Sequence, residues 1–344
     1  MKLTYRLVEL KRKYPFTISG YTMVSQTVVY TELSHDGLVG YGEASPGYYF
    51  KETVEDVVNF LSRLDLSQFN DPTDIESILG YVDQASEGHT AAKASIDIAL
   101  HDLVGKIKGV PCYVLFNADP AKMPPTSMTI GMDTPDMIRK KVNEASHFSL
   151  LKIKLGGEND KEIVEAIRSV SDQPLTVDAN QGWTNRQEAL EMIHWLEAKG
   201  CLQIEQPMPK DDWDGNAWLT ANSPLPIIAD EAVQRLTDVE RIAGAYHGIN
   251  IKMVKCTGMH EGAKMIKRAR ELGLQVMVGC MGESSVAILG AAAIAPLCDW
   301  VDLDSVWLIS NNPYEDPVLE RGRIVLSNEP GLGLRIPSGV SRTY

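Results

Sequence analysis

The first part of the chain changes from an alternating pattern to a helical one. Apolar and polar residues alternate in three early segments, which is typical of antiparallel strands with one buried face, and His35-Asp36-Gly37 supplies a turn. Apolar residues then recur at helical spacing, and Asp71 is placed to cap a helix that begins at Pro72. Strands followed by helices predict an α+β unit. The alternating segments are 3–10, 27–33 and 38–43, and the helical segments are 52–64, 72–84 and 90–106.

From about Ser127, short apolar runs alternate with helical stretches. The charged residues that close five successive runs are about 25 residues apart, which is the length of one βα unit. This period predicts a parallel sheet closed into a TIM-type barrel, and a doubly wound open sheet is the alternative. No G-x-G-x-x-G motif follows a predicted strand, so a dinucleotide-binding open sheet lacks its phosphate-binding turn. The runs read LLKIK, LTVD, LQIE, IIAD, INIK, QVMVG and WVDLD.

Composition and charge narrow the class of protein. With 344 residues, 44% of them hydrophobic and 23% charged, the chain is long enough for one large domain and a smaller one. Its formal net charge of −13 disfavours nucleic acid and anionic membranes as partners and favours a small-molecule substrate. Five scattered cysteines without C-x-x-C spacing indicate neither a disulfide framework nor a zinc site. No apolar run is long enough for a bilayer, so we expect a cytoplasmic protein, with homo-oligomers left open.

Acidic residues fall at the ends of three consecutive predicted strands: Asp178, Glu205 and Asp230. In a barrel the carboxyl ends of the strands meet at one mouth, so the three carboxylates should point into one small volume, where their repulsion is unfavourable without a cation. Oxygen ligands with room left for water and substrate suit Mg²⁺, whereas zinc recruits His or Cys. Each acid alone fits a solvated loop well, but together they predict a magnesium site.

Lysines occupy the same predicted strand ends. Lys152 and Lys154 are two residues apart, so both side chains leave one face of a strand, and Lys252 comes from a strand across the barrel. Crowding beside one another and beside a metal should lower their pKa values, as a lysine base requires. A base on each face of a carbon next to a carboxylate predicts a 1,1-proton transfer, with the metal and Lys152 stabilising an enediolate. A Lys-x-Lys pair on an exposed edge is the alternative.

Short sequence motifs that include these acids and lysines are found along most of the chain. They are GYGEASP at 40–46, AAKASIDIALHDLVGK at 91–106, KIK at 152–154, VDANQGW at 177–183, IEQP at 204–207, IADE at 228–231, NIKMVKCTG at 250–258 and VGCMGESS at 278–285. Together they resemble the enolase superfamily, in its muconate-lactonizing subgroup, whose sites combine a Lys or His base with Mg²⁺. The resemblance implies an α/β fold: a (β/α)7β TIM-like barrel over 121–320 with an N-terminal α+β capping domain over 1–120, on which 321–344 packs back.

The resemblance also implies a role for each charged group. It makes Asp178, Glu205 and Asp230 the ligands of Mg²⁺. It makes Lys154 and Lys252 the two acid/base groups, and Lys152 the residue that stabilises the substrate carboxylate. Asn180 and Glu231 would support the metal ligands from behind, and Lys255 would be structural.

Within the subgroup, the chain is most similar to dipeptide epimerases. Asp302-Leu303-Asp304 resembles their Asp-x-Asp pair, whose two carboxylates hold the substrate α-ammonium group. We therefore expect a dipeptide epimerase that acts at the α-carbon of the C-terminal residue, with Met281 also at the substrate. An o-succinylbenzoate synthase or a muconate cycloisomerase, which has no ammonium group to hold, is the alternative. A catalytically inactive binding protein is a third reading, but no expected lysine or ligand is lost.

One capping-domain loop departs from the Ala-Glu epimerases of this family, which carry an arginine there for the glutamate side chain. Tyr21 stands at about that position, and no arginine lies between Arg12 and Arg63. A buried carboxylate without a partner is unfavourable, so we expect a neutral or apolar second side chain, bordered by Tyr21, Met23, Tyr49 and Phe50. Plain packing of the aromatic residues is the alternative. Lys51, in a second loop, is the alternative cation if Ala-Glu is the substrate.

Overall fold

The described residues of the N-terminal part of the protein form an antiparallel sheet and four α-helices. In the computed structural model, which describes residues 1–18, 21–47 and 52–337, the sheet has the strand order β1-β2-β3, and helix α3 packs against it. The alternating and helical patterns of the sequence are thereby confirmed. The bounds are β1 (Lys2–Ile18), β2 (Tyr21–His35), β3 (Leu38–Ala44), α1 (Val54–Ser62), α2 (Ile75–Gln84), α3 (Thr90–Lys108) and α4 (Cys112–Leu115).

Two glycines allow strand β3 to lie directly against helix α3. A Cβ atom at Gly40 would be 2.0 Å from the backbone oxygen of Ala99, and one at Gly42 would be 1.8 Å from that of Ser95. A larger residue at either position would push the helix away from the sheet. The GYG part of the early motif thus sets the packing of the capping domain.

The start of helix α2 differs from the sequence expectation. Asp71 does not cap a helix, because its carboxylate accepts hydrogen bonds from the backbone N–H and the hydroxyl of Thr73, at 2.9 and 2.7 Å. Pro72 lies in this turn, and Asp74 is the N-cap, accepting from the N–H of Ser77 at 3.3 Å. An Asp with a Thr two residues later forms a local turn that competes with helix formation.

Eight parallel strands, β4 to β11, follow one another in sequence order around a barrel. The backbone N–H of Ser127, next to β4, donates to the oxygen of Val301 in β11 at 3.0 Å, so the first and last strands meet. Seven helical connections separate the eight strands, which confirms the (β/α)7β-barrel and excludes a doubly wound sheet, whose strand order would reverse. The strands are β4 (Met128–Ile130), β5 (Leu151–Lys154), β6 (Leu175–Asp178), β7 (Cys201–Glu205), β8 (Ile227–Ala229), β9 (Gly248–Lys252), β10 (Gln275–Gly279) and β11 (Trp300–Asp302). The connecting helices are α5 (Pro135–Glu144), α6 (Asp160–Arg168), α7 (Arg186–Ala198), α8 (Trp213–Asn222), α9 (Val239–Ile242), α10 (Met259–Glu271) and α11 (Ser285–Ile294), and the short helix α12 (Ser305–Leu308) and the strands β12 (Leu319–Glu320) and β13 (Arg323–Ile324) follow.

Buried acids of the capping domain hold it against the barrel. The carboxylate of Glu43, in β3, accepts hydrogen bonds from the N–H groups of Ser284 and Ala287 at 2.9 and 3.1 Å, where helix α11 begins. Asp97, in α3, accepts from the N–H of Met259 at 2.6 Å, where helix α10 begins. Both acids satisfy N–H groups that a helix leaves unpaired at its start. The capping domain is therefore tied to two barrel helices.

The C-terminal segment contacts the capping domain. The N–H of Leu332 donates to Asp102 in α3 at 2.8 Å, and the N–H of Cys112 donates to the oxygen of Gly331 at 2.8 Å. The domain limits at 120 and 320 stay predictions, and residues 338–344 lie outside the described part of the chain. Within the described ranges, no helix is long and apolar enough to cross a membrane.

Candidate active site

Charged side chains converge at the carboxyl ends of the barrel strands, as the sequence predicted. Lys154, Asp178, Glu205 and Lys252 are the last residues of β5, β6, β7 and β9, and Asp230 directly follows β8. They surround or underlie a cavity of about 200 Å³ between the barrel and the capping domain. In a barrel this end of the strands is where active sites form.

The three acids form a cluster that fits a divalent cation. One carboxylate oxygen from each of Asp178, Glu205 and Asp230 lies within 4.8 Å of the others, and all three residues are buried. Two oxygens on opposite sides of Mg²⁺ are about 4 Å apart. Glu205 Oε2 lies 2.6 Å from Lys152 Nζ, but without the geometry of a hydrogen bond, and no other described residue donates one to this buried oxygen. Burial, then the nearby Asp178, raises the pKa of Glu205 to about 7, a repulsion that a cation would relieve.

Three polar residues hold the acids in place; the sequence predicted a structural role for Lys255 and no role for Asn250 or Gln206. Asn250 Nδ2 donates to Glu205 Oε1 at 2.7 Å, and Lys255 Nζ donates to Asp230 Oδ1 at 2.6 Å. Gln206 Oε1 accepts from the backbone N–H of Asp230 at 3.0 Å. The available signal was strand periodicity, because Asn250 lies two residues before Lys252 and so shares its face of the strand.

The lysines contact the acids directly. Lys152 Nζ lies 3.3 Å from Asp178 Oδ2 and 2.7 Å from Asp302 Oδ2. Lys154 Nζ lies 2.6 Å from Asp178 Oδ2, and Lys252 Nζ lies 2.7 Å from Asp230 Oδ2. The structure thus brings all three predicted lysines to the acid cluster.

The acids raise the pKa values of Lys152 and Lys252, whereas lowered values were expected beside a bound metal ion, and that expectation stays a prediction. Burial favours the neutral amine, but Asp302 and Glu205 outweigh it and raise the pKa of Lys152 well above its usual range. Asp230 and Glu205 raise the pKa of Lys252 in the same way. Each acid at these strand ends stabilises an ammonium group, and a metal ion bound to the acids would weaken that effect.

Asp302 and Asp304 lie on the side of the cavity where the barrel closes. Asp302 Oδ1 accepts from the Ser127 hydroxyl at 2.7 Å, and Asp304 Oδ2 accepts from the N–H of Thr129 at 2.5 Å. Burial, then repulsion by Asp302, raises the pKa of Asp304 to about 6. Asp302, in β11, also pairs with Lys152, in β5, and no pattern in the sequence predicts this contact.

The remaining predicted barrel residues also border the cavity. Asn180 Nδ2 donates to Glu231 Oε1 at 3.3 Å, and the N–H of Asn180 donates to Asp178 Oδ1 at 2.9 Å. Burial, then the nearby Asp230, raises the pKa of Glu231 to about 7. Met281 lines the cavity, with its sulfur 4.0 Å from Lys252 Nζ.

The capping domain contributes Met23, which the sequence predicted at the substrate side chain, and residues that it did not predict there. Arg12, Phe16, Met23 and Gln26 line the cavity from β1 and β2. The proposed contacts of the Tyr21 side chain, Tyr49, Phe50 and Lys51 lie outside the described residues. Arg12 is therefore the described capping-domain cation at this cavity.

A capped (β/α)7β-barrel with acids and lysines at the carboxyl ends of its strands has the architecture of the enolase superfamily. The chain belongs to the mandelate racemase and muconate lactonizing enzyme family of that superfamily. Residues 2–116 match the mandelate racemase / muconate lactonizing enzyme N-terminal domain, and residues 136–339 match the enolase C-terminal domain-like family.

Individual relatives are similar to this chain over nearly their full length. The L-Ala-D/L-Glu epimerase of Bacteroides thetaiotaomicron is 52% identical over 97% of this chain and 88% of the relative. The solved dipeptide epimerase of Enterococcus faecalis, complexed with Mg and L-Leu-L-Tyr, is 32% identical with a TM-score of 0.89, over 97% of this chain and 98% of that chain. The muconate lactonizing enzyme of Pseudomonas fluorescens, complexed with muconolactone, is 27% identical with a TM-score of 0.89, over 97% and 96% of the two chains.

Proposed function

We propose that the protein is a Mg²⁺-dependent dipeptide epimerase, which inverts the α-carbon of the C-terminal residue of a dipeptide by a 1,1-proton transfer. The placement of Lys154 and Lys252 carries the proposal. They end β5 and β9, four strands apart in a barrel of eight, so their ammonium groups enter the cavity from opposite sides. A carbon between them can lose a proton to one lysine and regain a proton from the other on the opposite face.

The acid cluster is the proposed site of the metal. Asp178, Glu205 and Asp230 supply oxygen ligands and leave positions for substrate and water. Mg²⁺ bound there would stabilise the charge that develops on the substrate carboxylate, and it would compete with the lysines for the three acids. Lys152 Nζ, 2.6 Å from Glu205 Oε2, is close enough to this site to help hold the same carboxylate. The magnesium in the Enterococcus faecalis relative supports this assignment.

The two acids at the end of β11 favour a dipeptide over a lactone. Asp302 and Asp304 line the cavity with buried carboxylates, which can accept charge-assisted hydrogen bonds from an α-ammonium group. A muconate-lactonizing reaction, the alternative on the same fold, offers no ammonium group to offset them. The epimerase names of the relatives also favour the dipeptide, and the retained lysines and acids disfavour an inactive binding protein.

We also propose that the protein resides in a reducing compartment such as the cytoplasm. All five cysteines are free thiols, as such a compartment allows. The net charge of −13 favours a small molecule over nucleic acid as the partner, and homo-oligomers stay an open prediction.

Exchange of the α-hydrogen with solvent tests the proposal. The protein is incubated with Mg²⁺ and pooled dipeptides in D₂O, with an EDTA-treated sample as the control. We expect one deuterium per molecule at the C-terminal residue, read by mass spectrometry, together with the second epimer on a chiral column, and neither with EDTA. Turnover of muconate without dipeptide exchange would contradict the proposal.

A further inference from the structure

Asp160 is a buried acid that the proposed mechanism does not use. It is the first residue of helix α6, which follows β5 and Lys154, and it is 2% exposed. Its carboxylate accepts hydrogen bonds from the backbone N–H of Gly156, at 3.0 and 3.1 Å, and from that of Gly157, at 2.9 Å. Its Oδ2 also accepts from the indole N–H of Trp183 at 3.0 Å. These donors replace water around a buried charge.

The donors belong to the segments that follow two neighbouring strands. The glycines lie shortly beyond Lys154, where β5 ends, whereas Trp183 lies beyond the end of β6. A Cβ atom at Gly182 would be 2.4 Å from the Cα of Gly156, so the two segments are in backbone contact. Asp160 therefore joins the segment after β5 to the segment after β6.

Strand pairing supports the backbone of Lys154 on one side. Lys154 pairs with Asp178 in β6, whereas the pairing of β4 with β5 ends before Lys154 is reached. Asp178, by contrast, pairs with Lys154 on one side and with Glu205 on the other. The backbone that carries the lysine therefore depends more on the segment that Asp160 holds than the backbone of the proposed metal ligand does.

The opposite lysine, Lys252, is held by other contacts. It pairs with Gly279 in β10, and its backbone oxygen accepts from the N–H groups of Lys255 and Cys256 at 2.9 and 3.1 Å. These contacts involve β9, β10 and the turn after β9, and not the segments that Asp160 joins. The two proposed bases therefore depend on different parts of the barrel end.

We propose that Asp160 is a positioning residue that holds Lys154 at one face of the substrate α-carbon. The inference rests on the proposed function, in which each lysine exchanges a proton with one face. Proton transfer needs its two heavy atoms at hydrogen-bond distance, and a displacement of about 1 Å can slow a reaction by about 100-fold. Release of the segment after β5 should therefore slow the chemistry at the Lys154 face and spare the Lys252 face. The alternative role for Asp160, stabilising the start of helix α6 by its negative charge, would affect both faces alike.

The ratio of two exchange rates separates these roles. The dipeptide that exchanges fastest in the pooled assay is supplied as each of its epimers in D₂O with Mg²⁺, and the initial rate of α-hydrogen exchange is measured for the wild-type protein and Asp160→Asn. The epimer that faces Lys154 is the one whose exchange Lys154→Ala abolishes. The amide keeps the size of the side chain but replaces one acceptor oxygen by a donor, which then faces an N–H group.

We expect Asp160→Asn to slow exchange in the epimer that faces Lys154 by about tenfold or more. Exchange in the epimer that faces Lys252 should change by less than about twofold. The ratio of the first rate to the second therefore falls. Since both rates are measured on the same protein sample, a loss of folded protein cancels in the ratio.

Two further variants complete the experiment. Trp183→Phe removes the indole N–H, keeps an aromatic ring and should lower the ratio in the same direction, so it decides the question if Asp160→Asn does not fold. Asp97→Asn is the control, because Asp97 is also buried and accepts from the N–H groups of Met259 and His260 where helix α10 begins. It should leave the ratio unchanged.

The outcomes distinguish the inference from the proposed function. Equal slowing of both epimers in Asp160→Asn, or in Trp183→Phe if the first variant does not fold, would overturn the positioning role alone. A ratio that falls as far in Asp97→Asn would also overturn it. Absence of exchange in both epimers with the wild-type protein would overturn the proposed function, and the inference with it.

Discussion

Replacing Glu43 by Gln tests how the capping domain is held on the barrel. Glu43 is fully buried and accepts hydrogen bonds from the N–H and hydroxyl of Ser284, at 2.9 and 2.6 Å, and from the N–H of Ala287, at 3.1 Å. Burial nevertheless raises the pKa of Glu43 from 4.5 to about 6, because these contacts do not fully replace water. The amide keeps the size of the side chain, removes its titration and leaves one N–H without an acceptor.

The raised pKa gives the sign and the size of the effect. A carboxyl group that binds its proton more tightly in the folded protein stabilises the fold below its unfolded-state pKa and loses that contribution as the pH rises through its folded-state pKa. The difference between 4.5 and about 6 corresponds to about 2 kcal/mol, of which about 1 kcal/mol falls between pH 5 and pH 7. From pH 7 to pH 5, the free energy of unfolding of the wild-type protein should therefore rise by about 1 kcal/mol more than that of Glu43→Gln.

Urea denaturation at the two pH values, followed by circular dichroism, measures this difference. The lost acceptor affects Glu43→Gln equally at both pH values, so it cancels in the comparison. Glu9→Gln, which changes an exposed carboxylate on β1, is the control and should follow the wild-type protein. If the wild-type protein gains no more stability on acidification than Glu43→Gln, the contacts with Ser284 and Ala287 hold Glu43 ionised, and the reasoning is refuted.

Residues around the acid cluster can be tested separately. Lys255→Met removes the donor to Asp230 Oδ1 at 2.6 Å. Because a buried charge then loses a partner, the free energy of unfolding measured by urea denaturation should fall by about 3 kcal/mol. An unchanged free energy of unfolding would contradict this prediction. Asn250→Leu removes the donor to Glu205 Oε1 and should weaken Mg²⁺ binding by about tenfold or more in calorimetry, and a Kd within twofold of wild type speaks against it. Asp304→Asn should raise KM for a dipeptide by about tenfold with a smaller change in kcat, because it weakens the hydrogen bonding to the α-ammonium group. An unaltered KM would show that Asp304 does not bind the substrate.

The sequence was sufficient to place the strand-end charges because the βα period locates the end of each strand. Asp178, Glu205 and Lys252 close short apolar runs, and the closure of the barrel then brings them together. The same reasoning could not place Arg12. The pairing of β1 with β2 shifts register between Lys11 and Phe16, and alternation no longer tells which side of the strand a residue faces across such an irregularity.

Contacts between strands that are far apart along the chain could not be predicted from the sequence either. Lys152 and Asp302 are paired at 2.7 Å although they are far apart in the chain, so their mutual effect on pKa values depends on the closed barrel. Gln206 adopts a φ of 36°, which is rare for a residue other than glycine, and this places its side chain against the N–H of Asp230. No local pattern signals such a conformation.

The roles of the two lysines are tested most directly by α-hydrogen exchange in D₂O. Lys154→Ala should abolish epimerisation but leave exchange in the epimer whose α-hydrogen faces Lys252, and Lys252→Ala should show the reverse, because each lysine reaches one face of the carbon. Asp230→Asn should remove both exchange reactions, since both need the metal site. With folding of each variant confirmed by circular dichroism, the account predicts two complementary single-epimer patterns. It would be contradicted if one lysine variant lost all exchange while the other kept near-normal epimerisation.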